Sequence, residues 1–156
     1  MLRYEIVSHL TDASRRGPSL GYCSGALFRD LDRVHEIFCD FQSSRKRDAV
    51  FLYLDAVYGL VEWWTAVGRE VSRARQALRT KGIKAPLEIE PFAAVIIATA
   101  CPTKLDKRTV SKWSRLMRYA AKYKRRSESL GAFVARKGGI NECTKLFARR
   151  LGRSDV

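Results

Sequence analysis

The sequence predicts an all-α fold, a bundle of about five to six helices. Three observations predict it. Apolar residues recur three and four positions apart along most of the chain, the period of a helix with one buried stripe. These runs are bounded by capping residues or by Gly and Pro breaks. Alternating apolar and polar residues form no strand of useful length; AVIIA is strand-like in composition but stands alone.

Residues 1–22 read as an irregular N-terminal segment, because RRGPSLG sets Gly17, Pro18 and Gly21 close together. Residues 23–156 read as a single helical domain. Its first helix starts after Ser24 as N-cap and runs to about Gln42, with Leu27, Leu31, Val34, Ile37, Phe38 and Phe41 at helical spacing. The second starts after Ser43 or Ser44 and is expected to continue to about Thr80. Its first half is apolar nearly all round, as suits a central core helix; its second half carries Arg69, Arg73, Arg75 and Arg79. Gly59 and Gly68 mark a close approach or a bend. GIKAPLEIEP is a linker, and the short helix FAAVIIATA stops at Pro102. Three further helices are expected over residues 107–124, with Asp106 as N-cap, 129–137 and 140–151.

A chain of 156 residues that is 46% hydrophobic can bury a core without staples. Its net charge of +14 favours polyanionic partners. That charge is concentrated. Residues 1–103 hold 14 basic and 12 acidic residues, a net of +2, whereas residues 104–153 hold 16 basic and 3 acidic, a net of +13. Charge serving only solubility would be spread; this block looks like a dedicated surface. Cys23, Cys39, Cys101 and Cys143 are too scattered for a disulfide scaffold and are read as reduced thiols. The opening MLRYEIVSHLTDASRR lacks the apolar core of a signal peptide, so a cytoplasmic setting is expected.

The densest part of the basic block is KWSRLMRYAAKYKRR, residues 112–126. At about 100° per residue, Val110, Trp113, Met117, Ala120 and Ala121 share one side of this helix. Arg108, Lys112, Arg115, Tyr119, Lys122 and Arg126 share the other. Cations one turn apart can meet successive phosphates, and the counterions they release drive binding. Tyr119, set among them, is expected to bond a phosphate or stack on a base. A merely solvated face would carry acidic partners at i±4, and these are almost absent.

LGAFVARKGGINECTKLFARRLGR reads as helix, Gly-Gly turn, helix, and resembles a helix-turn-helix. With Gly139 as the turn glycine, Ala135 and Ile140 fall where that motif wants a small and an apolar residue, while Lys145 falls where it usually has an apolar one. KGGINECTKLFARRLG also resembles the helix-turn-helix of the Fis and NtrC activators. Ile140 interrupts that family's Gly-Gly-Asn spacing, and Ile140–Leu151 would itself have to read bases. Asn141, Lys145 and Arg149 share its free face and are of the types that read major-groove edges. From VFLYLDAVYGLVEWW to GGINEC the chain resembles a set of small bacterial helical proteins with no assigned activity, which implies a helical fold and no mechanism.

Other constellations point to structure. His35 and Cys39, one turn apart, could supply two metal ligands, but a site would need two more, from Cys23, Cys101 or His9. Asp55 and Glu62 share a face and are expected to neutralise Arg or Lys rather than do acid–base chemistry. No P-loop, nucleophile elbow or HExxH motif is present. AVFLYLDAVYGLVEWWTAV approaches membrane-span length, but its two acidic residues would be expensive in lipid. The expectation is a DNA-binding bacterial protein, regulatory in setting, with no enzymatic activity, cofactor, metal or membrane association. Duplex DNA is favoured over RNA, and a homo-oligomer is compatible with this reading. The alternative is an interaction or scaffold module whose basic face meets an acidic protein.

Overall fold

Leu27, Leu31, Val34 and Phe38 line the buried stripe of the first helix, α1 (Gly25–Ser43), with Ile37 and Phe41 packed beside them. The structure is a computed structural model and describes residues 25–100 and 104–150. The expected irregular segment 1–22, the Ser24 cap and the stop at Pro102 lie outside the described residues, as do His9, Cys23, Cys101 and Leu151. Six helices follow α1: α2 (Ala49–Ala66), α3 (Glu70–Thr80), α4 (Pro91–Thr99), α5 (Lys107–Tyr123), α6 (Leu130–Arg136) and α7 (Ile140–Arg150). Every regular element among the described residues is a helix, including AVIIA within α4.

The expected helix from Ser44 to Thr80 is in fact two, α2 and α3. Gly68 breaks it with φ +67, a left-handed conformation costly to any residue with a Cβ. Its N–H donates to the Thr65 carbonyl at 3.0 Å, and the Arg69 N–H donates to the Trp64 carbonyl at 2.9 Å. This pair of bonds closes a helix end and satisfies carbonyls that would otherwise be left unpaired.

Helix α2 is central and touches α1, α3, α4, α5 and α6. Ala49, Tyr53, Leu54, Val57, Tyr58, Val61 and Trp64 are its buried side chains, whereas Leu52 and Trp63 face solvent. The short α4 is buried on most sides and packs against α3, α5, α1 and α2, which explains its almost wholly apolar sequence. Pro91 opens it, and the Glu90 carboxylate accepts the N–H groups of Phe92 at 3.1 Å and Ala93 at 2.6 Å.

Trp113 turns inward from α5 as its spacing predicts. Its ring lies 6.3 Å from Phe41 and 6.0 Å from Tyr53, joining α1, α2 and α5 in one aromatic cluster. The last two helices separate in their packing: α6 rests on α2, and α7 lies along α5. Among the described residues no helix is long and apolar enough to cross a membrane.

Candidate nucleic-acid interface

Asp106 starts the basic helix as expected, its carboxylate accepting the Thr109 N–H at 2.8 Å. From there Arg108, Lys112, Arg115 and Lys122 are exposed along one side of α5. None makes a hydrogen bond or ion pair to a described residue. Arg126 is also exposed, but it lies in the turn beyond the end of α5 rather than on its face.

Tyr119 departs from the expectation. It is 0% exposed, so it can neither bond a phosphate nor stack on a base from outside. Its ring packs 4.7 Å from Tyr123 and 5.8 Å from Phe133, and its hydroxyl has no partner among the described residues. The reason is that α5 is covered from more than one direction. Trp113 is covered by Phe41 of α1 and Tyr53 of α2, while Phe133 of α6 covers Tyr119, and α4 and α7 also pack on α5. Two cations outside the exposed row serve this closure. Arg118 lies 4.8 Å above the Phe147 ring, and Arg150 lies 5.6 Å from the Tyr123 ring.

The three acidic residues of the basic block are each engaged. Asp106 caps α5. Glu128 grips Arg136 through two bonds, at 2.8 and 2.9 Å, and this pairing holds its carboxyl down at about 2. Glu142 accepts from Lys145 at 2.7 Å, which lowers its carboxyl from the usual range. Among the described residues, none of the α5 row forms an ion pair, and only Arg108 has an acidic neighbour, Asp106, within its field.

The seam between α5 and α7 forms a shallow groove of about 390 Å³, lined by Lys107, Arg108, Ser111, Lys112, Arg115 and Thr144. Ser111 and Thr144 escaped the sequence reading. Ser111 could have been found from its position beside Arg115 and Lys122 on the helical wheel. Thr144 could not, because it joins the groove only through the packing of α7.

On α7, Asn141, Lys145 and Arg149 are all exposed, and Lys145 is held by Glu142. The turn before them uses both glycines at positive φ, +95 at Gly138 and +107 at Gly139. Gly138 donates to the Ala135 carbonyl at 3.2 Å and Gly139 to the Val134 carbonyl at 2.9 Å, which ends α6 abruptly. A Cβ at either position would strain the backbone.

Two other expectations resolve differently. Among the described residues Asp55 forms no ion pair with Arg or Lys; its carboxylate accepts the Leu130 N–H at 3.1 Å, while Glu62 is exposed. His35 and Cys39 do approach one another, at 3.5 Å, but no group of three or more metal-ligating side chains occurs among the described residues. Comparison with known proteins finds no family model, no curated protein and no solved structure that matches this chain.

Proposed function

We propose that the exposed side of α5, with the groove it forms against α7, binds the sugar-phosphate backbone of nucleic acid, duplex DNA in the first instance. The observation that carries this reading is the exposed row of Arg108, Lys112, Arg115 and Lys122, which forms no ion pair among the described residues and lies in a block with only three acidic residues. From Arg108 to Lys122 the row spans about 21 Å at the helical rise, enough to meet several successive phosphates. Ser111 and Thr144 add neutral hydroxyl donors beside the cations. Such a surface attracts without reading sequence.

Base reading by α7 is a second, finer proposal. It is favoured by the exposure of Asn141 and Arg149 on the helix that contributes Thr144 to the same groove. The helix-turn-helix resemblance of the α6–α7 hairpin belongs with it.

The test is a salt titration of binding to random duplex DNA, with an acidic protein as competitor. Affinity should fall linearly on a log–log plot of binding constant against salt. Changing Lys112, Arg115 and Lys122 together to Glu should abolish binding and leave helix content intact. Undiminished DNA binding by that folded variant would refute the proposal. Binding confined to the acidic protein would favour the interaction-module reading instead.

A further inference from the structure

We propose that Cys39 and His35 form a thiol–imidazole pair that undergoes exchange with small disulfides, so that Cys39 is a site of reversible mixed-disulfide modification. This inference is independent of the basic face; it rests on the other end of the chain.

His35 is half-buried on α1, and its Nδ1 lies 2.7 Å from the Thr99 carbonyl oxygen at the end of α4. A carbonyl can only accept, so Nδ1 carries the proton and donates it. In the neutral ring this leaves the lone pair on Nε2. Thr99 is itself well held, being 0% exposed. Its hydroxyl donates to the Val95 carbonyl at 2.7 Å and lies 2.9 Å from the Tyr53 hydroxyl, which is free to donate to it. The imidazole is thus oriented by a rigid part of the core. Its free nitrogen points along α1 to the next turn, where Cys39 Sγ lies 3.5 Å away and can donate its thiol proton. The Ser43 hydroxyl bonds the Cys39 carbonyl at 3.0 Å and steadies the same turn. A nucleophile, a base within reach and a third group orienting the base is the general arrangement of an activated thiol.

The step balances without any added reductant or oxidant beyond the disulfide. Nε2 takes the Cys39 proton as the sulfur attacks one sulfur of the disulfide. The Cys39 S–S bond forms while the original S–S bond breaks, and the departing thiolate takes the proton back from the imidazolium. Cys39 is oxidised to the mixed disulfide and one equivalent of the small thiol is released. Cys39 is exposed and open to such reagents, whereas Cys143 is fully buried. Cys143 therefore serves as an internal control.

The test exposes the full chain to dithiodipyridine for timed intervals and maps the adduct on each cysteine by mass spectrometry. Cys39 should react at least about tenfold faster than Cys143, and faster than Cys39 itself in urea-unfolded chain, where no imidazole is held beside it. His35→Ala should slow Cys39 about tenfold, and added imidazole should restore part of the rate, which a merely structural role for His35 would not allow. Far-UV circular dichroism checks that the variant folds. Should it not fold, the native-against-unfolded comparison decides alone. A Cys39 that reacts no faster in the native chain than in the unfolded one, or equally fast in folded His35→Ala, overturns the proposal.

Discussion

The Asp55 carboxylate, midway along α2, accepts the backbone N–H of Leu130, the first residue of α6, at 3.1 Å. The Ser129 hydroxyl accepts another donor of that first turn, Ala132 N–H, at 3.1 Å. A seven-residue helix has little stability of its own and depends on such bonds. Replacing Asp55 with Ala should therefore cost about 1–2 kcal/mol in urea unfolding. Asp55→Asn keeps an acceptor oxygen and should recover most of that loss. Equal losses for the two variants would show that the hydrogen bond is not the source.

Trp113 and Trp63 are expected to separate sharply. Trp113 is 7% exposed and sits in the Phe41–Tyr53 cluster; Trp63 is 62% exposed. Truncation of Trp113 to Ala should cost about 3–5 kcal/mol, and truncation of Trp63 about 0.5 kcal/mol or less. Chemical denaturation of the two variants gives the ranking, and a reversed order would contradict the packing.

Tyr119 tests the corrected interface. Its hydroxyl is buried and unpartnered among the described residues, so Tyr119→Phe removes a desolvated polar group and little else. Stability should hold or rise by up to about 1 kcal/mol, and DNA affinity should not change. A loss of affinity in a stable Tyr119→Phe protein would mean that this hydroxyl reaches the ligand after all.

Glu128 gives the acid limb of the stability profile a definite contributor. Pairing with Arg136 lowers its carboxyl from the usual 4.5 to about 2 in the folded chain. A depressed carboxyl stabilises the fold above its unfolded value and loses that contribution as pH falls through its folded one. The loss should thus fall between about pH 4.5 and pH 2, read directly from the Glu128 carboxyl resonance. Glu128→Gln should flatten stability across that window, and an unshifted resonance would remove the contribution.

Legibility in the sequence followed the distance over which each feature is determined. The caps at Asp106 and Ser129 act on donors three residues ahead; Asp106 reads as a cap in the sequence, whereas Ser129 reads only as the start of its helix. Gly68 was ambiguous because a lone glycine is tolerated within a helix; only the bonds to Thr65 and Trp64 mark it as an end. Tyr119 was misplaced because a helical wheel assumes one covered side, and α5 is covered on two. The partner of Asp55 lies 75 residues away, beyond any local signal. The row Arg108, Lys112, Arg115 and Lys122 was legible because four like charges one or two turns apart have few ways to be buried.

The packing of α7 gives the groove a mechanical character. Only Cys143 and Phe147 of this helix are buried, and α5 is its principal neighbour. A helix that packs chiefly on one neighbour is expected to open in local unfolding below the free energy needed to open the whole chain. One wall of the groove would then act as a flap and the other as a fixed beam. Any polyanion that touches both walls is linked by mass action to closure of the flap, because it binds the closed state and not the open one. Occupancy of the groove and the local stability of the last helix then become two readings of a single equilibrium.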